Sequence, residues 1–216
     1  MSGVFNAPIY GHNTWGSLFS PRQAVCLATF VKRIREVENK LKSDADSAFA
    51  EATVVCLAVA LDKLADYNSS LCTLNVTGGR GLLHTFARQA LPMIWDFMET
   101  NPFNTAGANW LGGIESLFET VAREKCISTQ GTVQLASAAQ HPMPDDSAHC
   151  IVTDPPYYNA VPYADLSDFF FVWLKRTLRR AVPELFSGDV SPKDEECCEM
   201  AGWDPDRYPQ KDAAWF

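Results

Sequence analysis

No run of apolar residues is long enough to cross a bilayer. The longest, Val54 to Leu61 (VVCLAVAL), is far short of the about 20 that a span needs. The opening MSGVFNAPIYGHN has neither a basic leader nor an apolar core, and Gly does not directly follow Met1, so neither a signal peptide nor myristoylation is expected. No C-x-x-C pair occurs among the seven cysteines (26, 56, 72, 126, 150, 197 and 198), whose number is odd and whose spacing is irregular. Cys197 and Cys198 lie in an acidic stretch, KDEECCEM, with no His beside them. Tetrahedral metal sites need spaced pairs, so no metal site is expected, and free thiols in a reducing, cytoplasmic compartment are. Cys26, Cys56 and Cys150 sit in apolar stretches, where Cys serves as a small hydrophobe.

Positive charge is also scarce. Among 216 residues, 18 Lys and Arg face 26 Asp and Glu, a net charge of −8. The average field therefore repels nucleic acid, and any grip on phosphates has to come from a local basic patch or another partner. What is present is ordinary globular composition: 47% hydrophobic and 20% charged residues exclude disorder of the whole chain.

Residues 1–19 read as an irregular opening segment. Ser20-Pro21 then marks a helix start, with Ser as cap and Pro at the first helical position, and apolar spacing carries that helix to about Leu41. A second helix, apolar nearly all round, starts near Asp44 or Asp46 and runs to about Tyr67, forming a hairpin with the first. The stretch 68–81 is loop-like. A helix kinked at Pro92 is expected over Leu82 to Met98, a loop over Asn101 to Ala108, and a helix over Trp110 to Lys125. Strands are expected at Thr132 to Ala136 and His149 to Thr153, and an apolar helix with a basic end over Tyr163 to Ala181. The organisation is thus a mainly helical part (1–130), a strand–motif–helix part (131–182) and an acidic, loop-rich tail (183–216) that ends abruptly at AAWF, as a truncation would.

The segment that carries chemistry is Asp154-Pro155-Pro156-Tyr157. Two prolines end a strand, remove two backbone donors and set a rigid turn at its carboxyl edge, where α/β sheets bind ligands. The Pro155 carbonyl is an acceptor, Asp154 adds a carboxylate and Tyr157 a flat face. Together they suit a planar group bearing an exocyclic amine. This segment, with WGSLFSPRQ near the start, NPFN followed by NWLGG, and VTDPPYYNAVPYADLSDFF, resembles the C-terminal part of the adenine-specific DNA methylases. These are S-adenosyl-L-methionine-dependent amino-methyltransferases. The resemblance covers about residues 10–182, in pieces.

The resemblance implies an α/β, Rossmann-like methyltransferase fold, here incomplete and with a helical insertion on its N-terminal side. It implies catalytic roles for Asp154, Pro155, Pro156 and Tyr157. Asp154 and the Pro155 carbonyl accept hydrogen bonds from the target amino group, freeing the nitrogen lone pair for direct attack on the methyl group, and Tyr157 stacks on the flipped base. The implied partner is DNA, with adenine N6 the first choice of target and restriction-modification the setting. Other segments of a larger methylase, or defence-system subunits, are the further partners implied. Cytosine N4, RNA or a protein glutamine are alternative acceptors, and an inactive fragment or interaction module of a restriction or phage-defence system is the alternative of another class.

The family's Gly-rich cofactor turn after a first strand has no counterpart. The nearest string, Asn101 to Gly107, follows an expected helix and holds one Gly, and Ser137-Ala138 stand where related enzymes carry an acidic residue. The cofactor-binding residues are therefore unassigned, and the chain alone is expected to bind S-adenosyl-L-methionine poorly and to methylate nothing detectable. Thr77 to Gly81 lacks the last Gly of a dinucleotide fingerprint, and Gly113 replaces the Lys of a phosphate loop at Gly107 to Gly113. The four His are scattered and read as structural or exposed. Lys175, Arg176, Arg179 and Arg180 form a basic helix end, read as compensation of the helix dipole before a DNA contact.

Overall fold

The computed structural model describes residues 7–44, 46–76, 81–91, 93–124, 129, 131–137, 140, 142–194, 196–202 and 204–215. Four α-helices form among them: α1 (Pro21–Asp44), α2 (Ser47–Asp66), α3 (Trp110–Glu124) and α4 (Tyr163–Leu178). A two-residue antiparallel pair, β1 (Thr73–Leu74) with β2 (Leu82–Leu83), is the sheet found among the described residues, in the register Thr73 to Leu83 and Leu74 to Leu82.

Local chemistry sets the helix starts. The Ser20 hydroxyl accepts the Gln23 amide at 3.2 Å while Gln23 Oε1 accepts the Ser20 amide at 2.8 Å, a reciprocal cap in front of Pro21. Asp46 caps α2 by accepting the Phe49 amide at 3.3 Å. Gln23, Leu27, Val31, Ile34 and Glu38 recur at three- and four-residue steps and form the buried stripe of α1. α2 buries Ala50, Val54, Ala58, Leu61 and Ala65, mostly small side chains, and packs against α1, α3 and α4. Phe169 on α4 sits at the centre of the core. Its ring lies 5.4 Å from Phe19, 5.2 Å from Phe86 and 6.4 Å from Trp15, the last two edge-on. Residues from Ala7 to Leu91 and from Val161 to Phe186 share this one core.

Three expectations are corrected. Residues 82–98 are not helical (Pro92 itself lies outside the described residues), and the Thr85 and Phe86 amides are drawn instead to the end of α2. Asp66 O accepts the Thr85 amide at 2.8 Å and the Thr85 hydroxyl at 2.7 Å, and its carboxylate takes the Phe86 amide at 3.1 Å and His84 Nδ1 at 2.7 Å. Tertiary hydrogen bonds thus outweigh helix propensity. The stretches Thr132 to Ala136 and His149 to Thr153 are not strands, since β-prone residues form a strand only when a neighbour completes the ladder. Cys150 is exposed and not a core residue, whereas Cys72 and Cys198 are buried; all six described cysteines are free thiols. Lys125, Cys126 and Thr77 to Arg80 lie outside the described residues.

The tail folds back on the start of α4 and buries two of its lysines. Lys193 Nζ donates to Asp168 Oδ2 at 2.6 Å, and Asp168 Oδ1 accepts the Ser191 amide at 2.7 Å and its hydroxyl at 2.6 Å. Lys211, 0% exposed, donates to the carbonyls of Lys193 and of Glu196, the second at 2.8 Å. Its ammonium faces the rings of Tyr208 and Trp215 at 5.7 and 5.6 Å. Buried charges need such partners, and here they tie the tail to the core.

Candidate active site

The chain reaches the motif without regular structure. From residue 142 to residue 160 no helix or strand forms, and nearly every residue is exposed. Ile151 and Val152 stand in solvent, as do Val133 and Leu135 in the described stretch before them, with Val133 at 97% and Val152 at 90%. Asp154 and Pro155 are exposed, Pro156 is half-buried, and Tyr157 is 58% exposed with Tyr158 beside it. The Asp154 carboxylate and the Tyr157 ring are thus open to solvent. That exposure suits the capture of an incoming planar ligand and provides no enclosure for one.

Order returns immediately after the motif. Val161 and Pro162 are buried, and α4 begins at Tyr163. The tail holds this junction from outside. The Glu199 amide donates to Tyr158 O at 2.9 Å, and Cys198 Sγ lies 3.9 Å from Tyr157 O and 3.7 Å from Val161 O. Glu196 Oε1 accepts the Ala164 amide at 2.8 Å in the first turn of α4. Burial pushes up the carboxyl pKa values of Glu196 and Asp165, against Lys211 and Lys193 respectively. Burial, with Glu196 and Cys197 adding, drives the Cys198 thiol up to about 11, and so keeps it protonated and unreactive. The motif is therefore free on its N-terminal side and pinned on its C-terminal side. The pinning residues lie in the tail, and the lone lysines in that acidic stretch are the sequence signal that could have found them.

The Asn101 to Gly107 loop does not fit S-adenosyl-L-methionine. Its side chains consume its own amides: Asn101 Oδ1 accepts the Phe103 amide at 3.0 Å and Asn104 Oδ1 the Ala106 amide at 2.6 Å, while just beyond it Asn109 Oδ1 accepts the Gly112 amide at 2.6 Å at the start of α3. The adjoining cavity holds about 280 Å³ and is lined by Lys63, Leu64, Tyr67, Asn109 and alanines and glycines, with no carboxylate for ribose hydroxyls. Among the described residues no group of three His, Cys, Asp or Glu is placed to hold a metal ion. His84 pairs with Asp66, and His12 Nδ1 lies 2.9 Å from Ser17 O.

At the far end of α4 the basic residues part company. Lys175 Nζ donates to Gly188 O at 2.6 Å and to Asp189 Oδ1 at 2.9 Å, and Arg176 Nη1 to Val172 O at 2.7 Å. Arg179 and Arg180 have no such side-chain partner among the described residues and face Arg35 of α1, a residue with no motif of its own to mark it in the sequence. No helix among the described residues is long and apolar enough to cross a membrane. No protein-family model, curated protein or solved structure matches the chain.

Proposed function

We propose that this chain carries the target-binding part of an S-adenosyl-L-methionine-dependent amino-methyltransferase acting on an exocyclic amino group of a DNA base, adenine N6 first. The observation that supports this reading is the solvent exposure of the Asp154 carboxylate and the Tyr157 ring on a stretch anchored at Tyr158. The Asp154 carboxylate and the Pro155 carbonyl would each accept a hydrogen bond from the amino group, turning its lone pair out of conjugation with the ring. Tyr157 would hold the unstacked base by its face. In this proposal the exposed apolar stretches 131–137 and 149–153 become strands of a Rossmann-like sheet when neighbouring strands from another segment or subunit complete them. That same segment would hold the cofactor.

The test is methyl transfer into DNA by the protein together with the segment that supplies the cofactor site. Asp154→Ala is expected to abolish turnover without unfolding, since its hydrogen bond matters chiefly in the transition state. Near-normal turnover by that variant overturns the assignment. Titration of S-adenosyl-L-methionine into the chain alone should show little heat. Stoichiometric binding there would mean that the Asn101 to Gly107 loop rearranges to serve as the cofactor site. An interaction module of a restriction or phage-defence system is the second reading, favoured by the self-satisfied amides of that loop. It predicts capture of a partner subunit with no effect of Asp154→Ala.

A further inference from the structure

Five cations gather where the middle of α1 meets the C-terminal end of α4. Lys32 and Arg35 stand one turn apart on α1, and Arg176 lies in the last turn of α4 with Arg179 and Arg180 directly after it. Lys32, Arg35, Arg176 and Arg179 line a single cleft of about 600 Å³, whose one lining carboxylate is Glu36. Glu36 is engaged elsewhere, accepting from Arg33 Nη1 at 2.7 Å, and Glu38 lies buried against Lys42 Nζ at 2.6 Å. Among the described residues Lys32, Arg179 and Arg180 have no ion pair and no side-chain hydrogen bond. Arg35 bridges the two helices through Nη2 to Arg176 O, yet its Nε is buried with no acceptor. Burial, and then the charges of Arg179 and Arg180, hold the Arg35 pKa below the usual guanidinium range, with Arg176 adding and Glu38 opposing. A protein with eight acids in excess has left this cluster uncompensated.

We propose that this cleft between α1 and the C-terminal end of α4 binds the phosphodiester backbone of a nucleic-acid strand. The cations are spread over a turn of each helix, about 4.5 Å of rise for three residues, rather than converging on one point. That spacing suits a row of phosphates better than a single oxyanion. Arg presents a planar fork that matches phosphate oxygens two at a time. Asn39 is the single uncharged polar side chain lining the cleft, so the cleft holds backbone and reads little sequence. A local patch of this kind is what a chain of net charge −8 needs in order to approach DNA at all. The inference rests on the nucleic-acid reading above, and it assigns the grip to residues remote from the motif.

The test is fluorescence anisotropy of a short labelled oligonucleotide with the whole chain over a salt series. Binding should weaken steeply with salt. Lys32→Glu/Arg179→Glu should weaken it about tenfold or more, and reduce the log–log salt slope by about one for each phosphate that is no longer neutralised. Lys63→Glu/Arg123→Glu, which makes the same charge change on exposed positions of α2 and α3, should leave binding intact. Equal weakening in both double variants, or binding indifferent to salt, overturns the proposal. Displacement by polyglutamate or anionic vesicles as effective as that by unlabelled DNA would also overturn it, in favour of another polyanion. Both cleft substitutions lie on exposed side chains, and an unchanged circular dichroism spectrum separates a binding defect from a folding defect. In the unsubstituted protein, methyl transfer that fails while oligonucleotide binding persists counts against the motif, and binding that fails while methyl transfer persists counts against the cleft.

Discussion

Leu27, Val31 and Ile34 of α1 disappear into the core, while Val133 and Val152 stand almost wholly in water. Both sets are apolar and both sit in patterned sequence, so composition does not separate them. The difference is the partner each pattern needs. A helix satisfies its own backbone and asks only for a neighbour to cover one stripe, which α2 and α4 provide here. A strand leaves its amides and carbonyls pointing sideways and is incomplete until another strand pairs with it. The helical part closes on itself, and the stretch before the motif stays open.

Substitutions can break or sharpen this contrast, and the core should respond most. Phe169→Ala removes the ring at the centre of the aromatic cluster and should cost about 3–5 kcal/mol in chemical denaturation. A loss near zero would mean that the helices do not share one core. Next comes Asp62 on α2, buried with Oδ1 unpartnered, whose pKa burial pushes up to about 8. The folded state then holds a proton that the unfolded chain, with its carboxyl at 3.8, has released. Stability should therefore fall as pH rises from about 4 to about 8 and level off above that. Asp62→Asn should flatten this slope and gain about 2–4 kcal/mol at pH 7, measured by denaturation across pH. A slope that survives the substitution assigns it to other groups.

Lys211→Ala should cost about 2 kcal/mol by loss of charge-assisted hydrogen bonds to the Lys193 and Glu196 carbonyls. Its effect should be local. Hydrogen exchange should quicken at the Met200 and Ala201 amides, which donate to Lys211 O, before it quickens in α1. Uniform acceleration would mean that the tail is part of the core's cooperative unit. The smallest effect belongs to Val152→Ser, within about 0.5 kcal/mol in the chain alone because the side chain is already in water. A large cost there would reveal that the stretch is paired in solution.

Much of the helical frame was legible because its signals are local. Ser20 before Pro21, and Asp46 before the apolar run, specify starts within one or two residues of where α1 and α2 begin. The basic end of α4 was legible as well, though not its meeting with Lys32 and Arg35, which depends on how two distant helices cross. The turn at 84–87 was not legible, since it is decided by Asp66, some twenty residues earlier, and no window of neighbours contains that carboxylate. The burial of Lys193 and Lys211 was hidden for a similar reason: in an acidic, Pro-containing tail a lysine reads as solvated until Asp168 and two carbonyls are brought to it.

α4 separates the two proposed points of contact with a nucleic acid. The motif precedes its first residue, Tyr163, and the unpaired arginines follow its last, Leu178. Sixteen residues of helix make a rigid rod of about 24 Å. With duplex DNA rising about 3.4 Å per base pair, that rod corresponds to about seven base pairs. It acts as a ruler: the phosphates gripped at one end and the base approached at the other would lie more than half a helical turn apart. An oligonucleotide shorter than this could occupy either end of α4 but could not bridge the two.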